Sequence, residues 1–206
     1  MKALCLISSG FDSPVAAHLM LKNKVDLVAI HFNNRPFTDY RPLDKVKKLI
    51  KILEEQFNKK IKLYIIDHGK NLRKIVECER RFTCVLCRRM MFRISQEIAK
   101  KENCQVLVTG ENLGQVASQT LDNLIVTDKA INIDILRPLL TYEKNDIINL
   151  AKKIGTHDAS VEASYCCKAV PPNPATKAKL HIIEKVEKSL NIPELVKEAI
   201  KHAEIN

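Results

Sequence analysis

Up to Gly155 the chain alternates short apolar runs with longer stretches of helical period. Runs at Ala3–Ser8, Leu27–Phe32, Lys62–Asp67 and Val106–Thr109 have strand length, and a weaker one lies near Ile131–Leu136. Between and after them, Pro14–Lys22, Pro42–Phe57, Met90–Lys101, Gln115–Ile125 and Lys144–Ile154 carry helical spacing. Strands that alternate with helices predict an α/β fold, a doubly wound parallel sheet covered on both faces. Ligands of such sheets sit beyond the carboxyl ends of the strands. Ser8–Ser13, His31–Pro36, Asp67–Lys70 and Thr109–Gly114 each follow a strand and are expected to share one crevice.

After Gly155 the pattern changes. Residues 156–176 read as irregular, and two short helices are expected at Lys177–Leu190 and Pro193–Ala203, a helical tail too short for a separate domain. No internal repeat or low-complexity segment is visible. No apolar run reaches the roughly 20 residues that span a bilayer, and the N-terminus lacks the length and cleavage site of a signal peptide. The expectation is a cytoplasmic protein with no membrane partner.

The segment Ser8-Ser9-Gly10-Phe11-Asp12-Ser13-Pro14, between a strand and a helix, has the chemistry of a phosphate grip. Gly10 permits a tight turn and lets backbone N–H groups approach phosphate oxygens. Ser8, Ser9 and Ser13 add hydroxyls. Pro14 suits the first helical position with Asp12 or Ser13 as the cap, and the helix N-terminus faces the anion. Asp12 makes sense in an anion site if Mg²⁺ bridges it to the phosphates. The spacing is not that of a Walker A loop. A polar turn that merely caps a helix is the structural alternative.

The net charge of +10 favours an anionic partner such as a nucleotide or RNA. The alternative is a solvated lysine-rich surface. With 5% aromatic residues and no Trp, the composition argues against a base-stacking platform for single strands. Seven cysteines in a chain of this kind do not suggest a disulfide framework. Cys84-x-x-Cys87 is expected at or just before a helix start, among Arg80, Arg81, Arg88 and Arg89. Positive charge and a helix N-terminus both favour thiolate, so these thiols are expected to be reactive. They fit a redox pair, half a zinc site or part of an iron–sulfur site, and Cys166-Cys167 arrive in a segment that can reach the same crevice.

Residues 8–13 resemble the S-G-G-x-D-S signature of the PP-loop ATP pyrophosphatases, with Ser9 where the signature usually has Gly. That resemblance implies a HUP-like three-layer sandwich, cleavage of ATP between its α and β phosphates, and adenylation of a substrate oxygen. Downstream, Thr83–Met91 and Val108–Thr120, with His31-Phe32, Leu136–Leu139 and Ile154–Thr156, resemble the tRNA 4-thiouridine synthetases (ThiI) in consistent order over roughly residues 1–170. The resemblance implies a PP-loop domain over residues 1–170 and a helical extension over 171–206. It places Leu6, Ile7, His31, Phe32, Arg88, Gly110 and Gln119 around the adenosine part of ATP, with Phe11 in the phosphate loop. It aligns Cys167 with the cysteine of sulfur transfer. It also implies that Cys84, Cys87 and Cys167, or less readily Cys166, hold an iron–sulfur cluster able to bind sulfide. A persulfide on Cys167, resolved by Cys87 or Cys84, is the competing chemistry. Full-length synthetases carry a THUMP region that grips tRNA, and some carry a rhodanese domain. With the loop at residue 8, the expectation is a stand-alone domain that reaches tRNA through a separate THUMP-type partner. Thiolation of another substrate and a non-catalytic nucleotide-binding role are the alternatives.

Overall fold

The computed structural model describes residues 1–162 and 167–206. Five parallel strands, β1 (Lys2–Leu6), β2 (Asp26–Asn33), β3 (Leu63–Asp67), β4 (Val106–Val108) and β5 (Asp134–Leu136), and the antiparallel β6 (Glu204–Ile205) form one sheet. The order is β5-β4-β1-β2-β3-β6. The winding reverses at β1, whose neighbours are β2 and β4. The switch point therefore lies where the Ser8–Ser13 loop leaves the sheet.

Strand alternation sends side chains to two cores. Leu4, Leu6, Val28, Ile30, Phe32, Tyr64 and Ile66 point to one face, where helices α3 (Gly69–Val76), α4 (Thr83–Lys101), α5 (Leu121–Asp128), α8 (Leu180–Glu187) and α9 (Ile192–Lys201) contribute apolar residues. Ala3, Cys5, Ile7, Leu27 and Ala29 point to the other, covered by α1 (Asp12–Lys22), α2 (Arg41–Phe57) and α6 (Lys144–Lys153). The doubly wound three-layer sandwich with C-terminal helices is thus the observed architecture. The C-terminal segment is fastened to it by charge as well as packing. Buried Arg89 on α4 forms a two-pronged ion pair with Glu187 of α8 at 2.8 and 2.9 Å, and Arg93 adds a second at 2.6 and 2.8 Å.

Several boundaries differ from the sequence expectation. Helix α4 starts at Thr83 rather than Met90, because nothing in Thr83–Arg89 breaks a helix and Val85, Leu86, Arg89 and Met90 continue its buried stripe. Helix α5 starts at Leu121 rather than Gln115. Gly114 turns the chain at φ 75°, and Thr120 caps the helix by accepting the Asn123 N–H. Helix α3 was not expected, although Leu72 and Ile75 carry its buried face. A further helix, α7 (His157–Val161), occupies part of the stretch read as irregular. No helix among the described residues is long and apolar enough to cross a membrane.

Candidate nucleotide and thiol site

The Ser8–Ser13 loop is closed by its own serines. Ser13 Oγ accepts the Ser8 N–H at 2.8 Å and donates to the Ser8 carbonyl at 3.2 Å. These bonds replace the expected cap: neither Asp12 nor Ser13 caps α1 through its side chain, the flanking residue is Phe11, and Pro14 falls at the third helical position. The Ser13 hydroxyl is spent on pulling the loop back onto the end of β1. Nor does the turn need Gly10. Its φ is not positive, and a Cβ there meets only Ser8 Oγ at 3.7 Å. Ser9 likewise keeps an ordinary backbone conformation, so a non-glycine residue costs nothing there.

A glycine is required at Gly110 instead. A Cβ on it would stand 2.5 Å from Ser13 N and 2.6 Å from Asp12 C. The loop after β4 thus lies directly against the first turn of α1. The cleft between them, about 260 Å³, is lined by Leu6, Ile7, Ser8, Asp12, Ser13, Phe32, Arg88, Thr109, Gly110, Glu111 and Gln119 among others. Burial raises the Asp12 carboxyl pKa and the positive field of Lys144 opposes that rise. Among the described residues no hydrogen bond or ion pair fixes this carboxylate.

Around this cleft the predicted residues have distinct roles. His31 is buried and its Nδ1 lies 3.0 Å from the Ile7 carbonyl, while burial lowers its pKa and keeps the ring neutral. Nδ1–H therefore donates and locks the tautomer. Phe32 belongs to the core and also forms a wall of the cleft. Gln119 is buried in a 3-10 turn, not on a helix surface, with Oε1 accepting the Asn112 N–H at 3.3 Å. Gly10 and Phe11 face another way: Ser160 Oγ donates to the Gly10 carbonyl at 3.4 Å, and the Phe11 ring stacks on His157 at 5.6 Å.

A second cavity, about 160 Å³, is lined by Cys84, Cys87 and Cys167 with Thr83, Ser118 and Val170. A third, about 320 Å³, runs along Ile7–Ser9, His31–Asn34 and Cys167. Asn34 and Met91 border all three cavities, and Arg88 borders both the 260 Å³ cleft and the thiol cavity. The phosphate loop and the three thiols therefore open onto one continuous crevice. Cys166 lies outside the described residues.

The thiols are not the acidic ones expected. Burial pushes the Cys87 pKa up to about 12, and Arg88 opposes it too weakly. Cys84 is raised by burial and by Cys167, again against Arg88. Arg89 is committed to Glu187, Arg81 lies over the Phe82 ring, and of the four arginines only Arg88 lines the cavity. Desolvation outweighs one guanidinium.

Two residues inside the expected crevice segments were given no role in the sequence: Glu111, which lines the crevice, and His68, which lines none of the three cavities and lies behind Cys87. Glu111, 2% exposed, accepts from Thr109 Oγ1 at 3.0 Å and Arg137 Nε at 2.9 Å, and pairs with Arg88 Nε at 3.4 Å. It sits inside the quoted Thr109–Gly114 motif, so its position was visible though its charge partners were not. His68 is fully buried, with Nε2 3.3 Å from Cys87 Sγ, Nδ1 without a hydrogen-bond partner among the described residues, and a pKa pushed down to about 4 by burial. It lies 19 residues from that thiol, and no local pattern linked them.

A doubly wound sheet with a serine-closed loop at its switch point and a carboxylate over the adjoining cleft defines a nucleotide-binding domain of the PP-loop class. The family described as Thiamine biosynthesis protein (ThiI) matches residues 1–192, and the chain belongs to that family. A probable tRNA sulfurtransferase of Methanosarcina mazei is 40% identical over 99% of this chain and 51% of its own length. A 4-thiouridine synthetase solved in complex with RNA and with bound ATP superposes with a TM-score of 0.95 at 34% identity, over all of this chain and 54% of that one. A tRNA thiolase of Methanococcus maripaludis, NcsA, solved with its 4Fe-4S cluster, shares the fold at a TM-score of 0.55 and 20% identity, over 98% of this chain and 73% of that one. The chain spans about half the length of the curated relatives it matches.

Proposed function

We propose that this domain uses ATP to adenylate a carbonyl oxygen and then replaces that oxygen with sulfur, the acceptor being a tRNA uridine as in 4-thiouridine formation. The observation that carries the reading is the single crevice joining the Ser8–Ser13 loop to Cys84, Cys87 and Cys167. Residues 1–170 supply this chemistry and 171–206 brace it. RNA grip would come from a THUMP-type region outside these 206 residues, aided by the +10 charge. Such a substrate places the protein in the cytoplasm.

ATP sits with its phosphates on the loop N–H groups and its adenosine among Leu6, Ile7, His31, Phe32, Gly110 and Gln119. Asp12, half-buried and unpaired among the described residues, would hold Mg²⁺, which supplies Lewis-acid neutralisation of the phosphate oxygens. The substrate oxygen attacks the α-phosphate and pyrophosphate leaves with the bond's electrons. Loop N–H groups and Arg88 stabilise the charge that develops. A sulfur nucleophile then forms the C–S bond while AMP departs with the C–O electrons. Sulfide can provide that atom. So can a persulfide on Cys167, whose inner sulfur is then attacked by the Cys84 or Cys87 thiol, leaving a disulfide.

Three thiols on one cavity match the donor chemistry of an iron–sulfur cluster, although among the described residues no three His, Cys, Asp or Glu stand close enough to hold a metal as placed. Bound by Cys84, Cys87 and Cys167, a cluster would supply an open iron for sulfide. Anaerobic iron and acid-labile sulfide analysis separates this from the persulfide route. The function itself is tested by AMP release with and without tRNA and sulfide. Asp12→Ala is expected to abolish AMP and pyrophosphate formation while keeping the wild-type melting temperature, and normal turnover in that variant would overturn the mechanism. AMP release indifferent to tRNA would point to another acceptor.

A further inference from the structure

Lys45 is a charged residue in an apolar stripe. It is 3% exposed and lies on the face of α2 that buries Val46, Leu49, Ile50 and Leu53. An apolar side chain of similar volume would seal that face at less desolvation cost. The ammonium is occupied: Nζ donates to the Ser160 and Glu162 carbonyls, both at 2.7 Å. These are the terminal carbonyls of α7, whose five residues are too few to hold a helix unaided. Lys48, one turn on, grips the Glu162 carboxylate at 2.6 Å.

What α7 touches gives the clamp its meaning. Its His157 stacks on Phe11 and its Ser160 hydroxyl donates to the Gly10 carbonyl, so one side of this short helix rests on the phosphate loop. Beyond Glu162 the chain leads to Cys167, which lines the thiol cavity. On the far side of Cys167 the Lys168 N–H donates to the Phe37 carbonyl at 2.9 Å, in the connection that enters α2. Residues 37–48 therefore tie down the chain before and after this cysteine.

We infer that Lys45 is a positioning residue for sulfur transfer: by holding the end of α7 it keeps the phosphate loop and Cys167 in one frame, so that the activated carbon and the incoming sulfur meet. The inference rests on the sulfurtransferase reading above. Its test needs no turnover, since it reads the rate at which a short bifunctional thiol reagent joins Cys84 to Cys167, in the whole chain carrying Cys166→Ser, beside the ATP dissociation constant. Lys45→Met slows that crosslink by about tenfold or more. Its ATP affinity stays within about threefold of wild type, because the Ser8–Ser13 bonds persist. Lys45→Arg, which keeps two donors, restores the crosslink. A wild-type crosslinking rate in Lys45→Met overturns the inference. So does joint loss of far-UV circular dichroism and ATP binding in both Lys45→Met and Lys45→Gln, which would make Lys45 a residue of global stability. A Lys45-dependent crosslink in a wild-type chain that releases no AMP would support this placement and fault the sulfurtransferase reading alone.

Discussion

Gly110→Ala puts one methyl group against the backbone of the phosphate loop. The new Cβ would lie 2.5 Å from Ser13 N, whereas ordinary contact begins at 3.4 Å, so the two segments must part by about 0.9 Å. The neighbours are backbone atoms of Asp12 and Ser13, which have no rotamer with which to yield. Overpacking of this kind costs about 1–3 kcal/mol of stability. Displacement of a reacting group by about 1 Å costs roughly a hundredfold in rate. The structure thus predicts a variant that folds, melts a few degrees lower, and forms AMP about a hundredfold more slowly at saturating ATP. The assay is AMP formation from radiolabelled ATP beside a thermal melt. Gly10→Ala is the stability control, since its Cβ meets only Ser8 Oγ at 3.7 Å. A Gly110→Ala enzyme with wild-type rate and melting temperature would refute the claim that this contact sets the loop.

Three further outcomes are expected. His68 is held at a pKa of about 4 against 6.5 when exposed, so the unfolded chain binds the extra proton between those values and stability falls as pH drops through that window. The loss is about 3 kcal/mol at most; urea melts at pH 7 and pH 4.5 should show a steeper loss in wild type than in His68→Leu, since buried His31 contributes the same smaller loss to both. Glu187→Gln leaves Arg89, 2% exposed, without its carboxylate and should cost about 3–5 kcal/mol in chemical denaturation, a cost under about 1 kcal/mol showing the network to be neutral. With its pKa near 12 rather than 9.0, Cys87 should react with iodoacetamide roughly a thousandfold more slowly than an ordinary cysteine; labelling of Cys87 as fast as half-buried Cys78 would contradict its burial.

The sheet was legible because β1, β2, β3 and β4 are short apolar runs flanked by helical periods, a pattern that parallel sheets impose directly. The loop motif was legible for the same local reason. What the sequence concealed depends on distance along the chain. Whether Cys84 and Cys87 are acidic turns on burial in the folded crevice, and of the four neighbouring arginines only Arg88 lines the thiol cavity. Helix α3 spans eight residues and begins with Gly69, which local propensity does not mark as a helix, and His68 gains its meaning only when α4 brings Cys87 beside it. Gly10 and Gly110 show the same limit. Both stand in recognisable motifs, yet only the second is sterically required, because its neighbour is a loop nearly a hundred residues earlier.

In the proposed reaction this crevice splits ATP between its α and β phosphates to prepare an oxygen for sulfur. The most direct measurement is product identification from α- and γ-labelled ATP incubated anaerobically with the protein, tRNA and sulfide. AMP and pyrophosphate are expected, with one sulfur incorporated per AMP formed. Formation of ADP and phosphate, or AMP release with no sulfur in the acceptor, would contradict that reaction.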